Sequence, residues 1–224
     1  MKTISDIRLY RGMVENRDGN PLPSDFGGKR LHIIIHRIVM KLREQGFSVG
    51  EFDHLYINFT TCLQPGEMGP AKRSVDPYHK WYRYYDVGVD DATYHQLDAD
   101  SAIDYIVHQL LQVLITFFAD KNNCSVRDCV TEAVAQGESM QTLYKTKQTA
   151  KLKASIYLQL LDSGKYVPHL FVWDSSGEEV LHKKLNETAD LQSLGEIQLS
   201  SKRVTVKPRK NAFSQDLVPV IFDL

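Results

Sequence analysis

The segment from about Asp98 to Ala119 constrains the fold most, because it predicts one long helix that is apolar on most of its surface. Asp98 or Asp100 can cap its N-terminus. Its most apolar run, residues 106–119, is too short to span a bilayer and includes His and Gln. We therefore expect a buried central helix and no membrane insertion. Its apolar face consists of Ile103, Ile106, Val107, Leu110, Leu111, Leu114 and Phe118.

Two segments before this helix alternate apolar and polar residues with the period of a β-strand. In the first, Phe52–Leu63, every second residue from Leu55 to Phe59 is apolar. The second is WYRYYDVGV at 81–89, which is rich in residues that favour sheets. An apolar stripe over 28–45 predicts a helix, although its β-branched residues leave a strand as the rival prediction. We expect the two alternating segments to be neighbours in one sheet.

The last third of the chain has a different pattern. A short helix is predicted at about Ser125–Gln136, and residues 137–150 have little periodicity and are the best candidate for a linker. Beyond them, short alternating runs are separated by the turn sequences Asp162–Gly164 and Asp174–Gly177. This order is typical of a β-meander.

These patterns together predict an α+β fold. The N-terminal part is expected to mix helices with an antiparallel sheet around the buried central helix, and the C-terminal part to be rich in β-meander. The 224 residues fit a single domain over 1–224. A subdivision into 1–136 and 151–224, joined by 137–150, is the open alternative.

Composition narrows the functional classes. The formal net charge is -1 and the sequence pI is about 6.7, so a dedicated nucleic-acid binder is disfavoured. The N-terminus lacks the continuous apolar stretch of a secretory signal. The three cysteines, Cys62, Cys124 and Cys129, are an odd number and argue against a disulfide framework. We expect a cytoplasmic protein that does not bind membranes.

No catalytic motif survives inspection. Phosphate-binding glycine loops, the GxSxG elbow and the kinase motifs are absent from the sequence. His32 and His36 have the spacing of the HExxH motif, but Ile33 stands where that motif requires Glu. Asp90 and Asp91 lack the spacing of a calcium-binding loop and fit turn or helix-capping positions better. The sequence predicts no catalytic residue, no metal and no cofactor.

The densest aromatic segment is the best candidate for a binding surface. On an alternating strand, Tyr82, Tyr84 and Asp86 share one face. The other face consists of Trp81, Arg83, Tyr85 and Val87. Tyr, Trp and Arg are enriched at protein-binding hot spots, although plain sheet packing explains these aromatics equally well. The predicted partner-binding residues are Tyr78, Trp81, Tyr82, Tyr84, Asp86, Asp90 and Asp91.

The assembled segments HLYINFTTCL, YYDVGVD and KASIYLQLLDSGKYVPHLFVWDSSGEE, with a Pro/Gly-rich loop between the first two, give the chain a wider resemblance. It resembles bacterial immunity proteins of polymorphic-toxin systems in layout over its whole length. The resemblance implies a cytoplasmic protein that neutralises a cognate toxin by direct binding. Inhibitors of cationic nuclease toxins are often strongly acidic, and the near-neutral charge departs from that pattern.

Two other functional hypotheses remain open at this point. One is a metal-dependent hydrolase or a nucleic-acid-processing enzyme, which requires several of Asp86, Asp90, Asp91, His54 and His79 to converge in the fold. The other is a scaffold or oligomerisation module that uses an exposed strand edge. The leading hypothesis is a non-catalytic protein that binds another protein. In its more specific form, the chain is an immunity protein and the partner is a cognate toxin.

Overall fold

The structure, a computed structural model, describes residues 2–22, 28–71 and 78–224. The chain forms two compact units, Met1–Gly137 and Glu138–Leu224. Within the described residues there are four α-helices and eleven strands in three sheets, which confirms the α+β class. The end of the predicted Pro/Gly-rich loop, residues 72–77, lies outside these ranges.

The first unit contains one four-stranded sheet and all four helices. The sheet has the order β1-β2-β4-β3. Its elements, in chain order, are β1 Asp6–Arg11, α1 Gly28–Glu44, β2 His54–Thr60, β3 Met68–Pro70, β4 Tyr82–Gly88, α2 Asp91–His95, α3 Ala99–Phe118 and α4 Val126–Gln136. The two strands predicted from alternation, β2 and β4, are indeed neighbours.

The direction of these strands corrects the prediction of an antiparallel N-terminal sheet. β1 pairs with β2 in parallel, and β2 pairs with β4 in parallel. Only the short β3 runs antiparallel, beside β4. The physical reason is the crossover helix α1, which returns the chain to the start of the sheet so that β2 runs in the same direction as β1.

The helices begin and end close to the predicted residues. Asp98 is the N-cap of α3 and accepts a hydrogen bond from the backbone N–H of Ser101 at 2.8 Å. Ser125 caps α4, which ends at Gly137 with a positive φ of 51°. Among the described helices, α3 has the length and composition that could cross a membrane, a criterion that a helix packed in a protein core also meets.

The helices cover one face of the sheet. On that face Leu55, Ile57 and Phe59 of β2 are completely buried. The ring of Tyr85 on β4 lies 4.8 Å from the ring of Phe117 on α3, measured between centroids. α4 contacts both α1 and α3, so the three long helices form one layer. The alternate residues of β1, β2 and β4 therefore point to the opposite face, which carries the candidate site.

Gly88 allows a loop to lie directly against the end of β4. Its N–H donates to the carbonyl of Glu67 at 2.7 Å, and its own carbonyl accepts from the N–H of Gly66 at 3.0 Å. A Cβ at this position would lie 2.0 Å from the carbonyl oxygen of Gln64, which is backbone and cannot rotate away. The sequence therefore requires glycine here for space rather than for an unusual φ.

Replacing Gly88 should destabilise the first unit. We expect Gly88→Ala to lower the free energy of unfolding by about 1–3 kcal/mol, because the added methyl group displaces the 64–67 loop. Urea unfolding followed by circular dichroism measures the loss. The matched control is Gly69→Ala on β3, where a Cβ meets no atom within 4 Å. Equal stability of the two variants would contradict this close approach.

The second unit consists of two sheets. One has the order β5-β6-β7-β8, and the other has the order β11-β10-β9. The strands are β5 Gln141–Gln148, β6 Leu152–Leu160, β7 Tyr166–Asp174, β8 Glu179–Lys184, β9 Glu196–Leu199, β10 Arg203–Lys207 and β11 Val220–Asp223. The β5–β8 sheet is antiparallel throughout and includes the predicted meander.

The segment predicted to be a linker, 137–150, contains strand β5. Its residues alternate poorly because most of them are exposed or half-buried on both faces of an edge strand. The Nζ of Lys145 donates to the carbonyl of Leu194 at 2.9 Å and also to that of Gly195. β5 is thus an integral part of the second unit.

Candidate functional site

The sheet face opposite the helices carries three rows of polar and aromatic side chains. We call the aromatic and basic members of this surface, together with His79 and Trp81 just before β4, the tyrosine face. Backbone register aligns Asp6, His54 and Tyr82 in the first row, Arg8, Tyr56 and Tyr84 in the second, and Tyr10, Asn58 and Asp86 in the third. The tyrosine face consists of Arg8, Tyr10, His54, Tyr56, His79, Trp81, Tyr82 and Tyr84.

Tyr56 lies at the centre of the tyrosine face. Its ring centroid is 4.7 Å from that of Tyr82, 5.1 Å from that of Tyr84 and 6.2 Å from that of Tyr10. Burial and a hydrogen bond with Tyr82 raise the pKa of Tyr56 to about 12, against the opposing charge of Arg8. Its hydroxyl is therefore neutral at physiological pH, and the rings hold one another in tilted contacts.

A cation lies over this cluster. The guanidinium carbon of Arg8 is 5.6 Å from the centroid of the Tyr56 ring, within the range of a cation–π interaction. The Nε of Arg8 donates to the carboxylate of Asp6 at 2.7 Å, and that hydrogen bond raises the pKa of Arg8. The side chain of Arg8 is therefore oriented and remains charged.

The residues just before β4 supply exposed aromatic groups. The rings of His79 and Tyr82 stack with 2° between their planes and 4.7 Å between their centroids. Trp81 precedes β4 and contacts both of these rings edge-on. The prediction that Trp81 lies on the face opposite Tyr82 is therefore wrong, because the alternation of β4 begins only at Tyr82. The exposed fraction is 39% for Trp81 and 83% for Tyr78. Four of the predicted binding residues, Tyr78, Trp81, Tyr82 and Tyr84, thus lie at one end of the tyrosine face or within it.

The predicted Asp86 occupies the other end of the strand and is largely buried. Its Oδ1 accepts a hydrogen bond from the Nδ2 of the completely buried Asn58 at 2.8 Å. The same amide group is 3.4 Å from the carbonyl of Gly12. Asp86 also contributes to the wall of a cavity of about 550 Å³, between the loops that contain Asn16 and Glu67. Its carboxylate is therefore part of an internal polar pair.

Asp90 and Asp91 have structural partners near the start of α2. Asp90 is the N-cap and accepts from the backbone N–H of Thr93 at 3.2 Å, and hydrogen bonds from Thr93 lower the pKa of Asp90. Asp91 accepts from the Nδ2 of Asn20 at 3.3 Å and lies 3.4 Å from the ring of His95. These carboxylates follow the buried end of β4 rather than the aromatic end.

The residues required by the enzyme hypothesis do not converge. His54 and His79 both contact Tyr82, whereas Asp86 lies four residues further along β4, about 13 Å away at the rise of a strand. Within residues 2–22, 28–71 and 78–224, no three His, Cys, Asp or Glu side chains are grouped so that they could hold a metal ion. The histidines and the aspartates therefore form two separate groups.

The three cysteines differ in their burial. Cys129 is buried, and burial raises the pKa of its thiol to about 11. Cys62 and Cys124 are partly exposed, and all three thiols are free. Of the three, only Cys129 is a buried thiol.

Sequence reasoning missed Arg8, Tyr10 and Tyr56 as members of the surface. The signal was present, because Ile7 and Leu9 alternate with charged and aromatic residues in the manner of a strand. The strand β1 is only six residues long, and its place beside β2 depends on the crossover through α1. Tyr56 lies on a strand that was predicted, but its neighbours depend on the register.

Comparison with known proteins gave no match to a family model, a curated protein or a solved structure.

The buried Asn58–Asp86 pair in the third row can be tested for direct contact between its two side chains. Asn58→Asp should replace a hydrogen-bond donor with a second carboxylate and lower the free energy of unfolding at neutral pH by about 1.5–3 kcal/mol. Repulsion raises the pKa of one carboxyl in the folded state, so the loss should be largest above that pKa and shrink as the pH falls towards 4. Urea unfolding at several pH values measures this dependence.

The matched control exchanges the two side chains. The double variant Asn58→Asp, Asp86→Asn again places one amide beside one carboxylate, and it should recover most of the lost stability. A deficit in the single variant that is the same at every pH would contradict direct contact between the two groups.

Proposed function

We propose that this chain binds another protein through the tyrosine face. The observation that supports the proposal is the difference between the two faces of the β1–β4 sheet. The helices cover one face, whereas the other presents a continuous array of aromatic rings. Tyr, Trp and Arg are the residue types that most often supply binding energy at protein interfaces. The helices that cover the opposite face are α1, α3 and α4.

The packing of the face supports this use. Tyr56 contacts both Tyr82 and Tyr84 before any partner arrives, so binding would immobilise few additional side chains. Tyr78 and Trp81 supply exposed surface at the edge of this rigid array. A rigid aromatic centre with exposed aromatic groups beside it is typical of an interface anchor.

The charges on the face favour a partner surface of mixed polarity. Arg8 is already neutralised in part by Asp6, and His54 lies 2.7 Å from the carboxylate of Asp53. Asp86 is buried and Asp90 follows the far end of β4, so neither carboxylate lies beside the exposed Trp81. The binding free energy would come mainly from burial of aromatic area.

The layout resemblance to immunity proteins makes the proposal more specific. In this form the partner is a toxin protein that the chain binds in the cytoplasm, and binding neutralises the toxin. The near-neutral net charge of -1 favours a target other than a strongly cationic nuclease. A direct test is co-purification with the product of the neighbouring gene, together with rescue of growth arrest caused by that product. Failure of both would contradict the toxin-binding form.

Substitution of Trp81 tests the surface itself. In a complex with that product, Trp81→Ala should raise the Kd about thirtyfold, which corresponds to ~2 kcal/mol, because the indole is an exposed anchor. Isothermal titration calorimetry measures the Kd, and circular dichroism checks the fold. Val134→Ala on α4 is the control, since Val134 has a similar exposure of 43% on the helical side. Equal affinities of the two variants would contradict binding through the tyrosine face.

A further inference from the structure

Large exposed apolar side chains are concentrated near the end of the second unit. Within nine residues, five such side chains are 39–84% exposed. Exposed apolar side chains are uncommon in such number on the surface of a monomer, and where they cluster they mark interaction sites. The five residues are Phe213, Leu217, Val218, Val220 and Ile221.

Strand β11 begins in this apolar segment and forms one edge of the β11-β10-β9 sheet. It pairs with β10 on one side, with Val206 opposite Val220 and Val204 opposite Phe222. The N–H of Leu224 donates to the carbonyl of Lys202 at 2.9 Å. In an antiparallel ladder, this bond means that Phe222 and Val220 also direct their backbone groups towards β10.

The outward edge of β11 therefore belongs to the alternate residues. Ile221 and Asp223 direct their N–H and carbonyl groups away from β10. Within the part of the chain that the structure describes, no strand lies on that side of β11. An apolar edge strand with outward backbone groups can pair with another strand.

We propose that β11 pairs with β11 of a second copy of this chain, antiparallel and about a two-fold axis at Ile221. In this register, Ile221 lies opposite Ile221 of the second copy and exchanges two backbone hydrogen bonds with it. The N–H of Asp223 donates to the carbonyl of Pro219. Proline therefore lies where its lack of an N–H costs least, at the end of the ladder.

Side-chain matching selects this register. It places Val220 opposite Phe222 and Val218 opposite Leu224, so that apolar residues meet apolar residues on both sides of the axis. The charged Asp223 faces Pro219 rather than another carboxylate. A register centred on Phe222 would instead place Ile221 against that carboxylate. In the proposed register, the two side chains of each opposed pair also lie on the same face of the sheet that the two copies form together.

Measurement of mass in solution tests whether the pairing occurs. Light scattering coupled to gel filtration of the full chain should give twice 25.6 kDa at high concentration and a shift towards 25.6 kDa on dilution. Ile221→Lys should be monomeric, because it places two like charges opposite each other. Val180→Lys is the control, since Val180 is 45% exposed on β8, the edge strand of the other sheet, and this variant should remain dimeric.

Disulfide trapping tests the register and does not depend on the binding of any other protein. Under oxidation, Ile221→Cys should crosslink to itself, because directly opposite residues have Cα atoms about 5.5 Å apart. Val220→Cys should not crosslink to itself, since its two copies would be about 8 Å apart. A mixture of Val220→Cys and Phe222→Cys should form the mixed dimer, with the unsubstituted chain as background for the native thiols.

Three results would overturn the proposal. The first is a monomeric unsubstituted chain at every concentration, and the second is an Ile221→Lys variant that remains dimeric. The third is self-crosslinking of Phe222→Cys without self-crosslinking of Ile221→Cys, which would exclude the axis at Ile221.

Discussion

Parallel pairing of β2 with its two neighbours is the constraint on which the rest of the first unit depends. Because β1, β2 and β4 run in the same direction and in register, their side chains form straight rows across the sheet. One set of alternate residues enters the helical layer, and the other forms the tyrosine face. A shift of one residue in β4 would exchange the two sets and place Tyr85 on the tyrosine face.

The two faces are stabilised in different ways. On the helical side, Leu55, Ile57 and Phe59 are removed completely from water, and the hydrophobic effect provides the stabilisation. On the other side, the aromatic rings remain half-buried and contact one another through their edges and faces. That side also buries the Asn58–Asp86 pair, where a hydrogen bond offsets the cost of removing a carboxylate from water. The same sheet thus combines a conventional core with a surface suited to binding.

Local sequence patterns predicted most individual elements but not how they are joined. The alternation in β2 and β4 and the capping residues Asp98 and Ser125 act within a few residues, so their effects can be read directly. Strand direction depends on α1, which separates β1 from β2. The edge strand β5 was missed because an edge exposes both of its faces and weakens the alternation.

For the candidate site too, local patterns predicted the segments but not which strands lie side by side. The aromatic segment at Tyr78–Tyr84 was visible in the sequence, and the split of β4 into two faces was predicted from its period of two. The partners of that segment, Tyr56 and Arg8, precede Tyr84 by 28 and 76 residues in the chain and are aligned with it by strand register. The burial of Asp86 follows from Asn58, 28 residues earlier, and no local pattern could indicate it.

The chain has two tryptophans, and they provide the most direct test of binding through the tyrosine face. Trp81 lies on that face in the first unit, and Trp173 lies on β7 in the second. Hydroxyl-radical footprinting with mass spectrometry compares the oxidation of both indoles in the free chain and in the complex with its protein partner. We predict that the partner protects Trp81, together with Tyr78, and leaves the oxidation of Trp173 unchanged. Protection of Trp173 with unchanged oxidation of Trp81 would contradict the account.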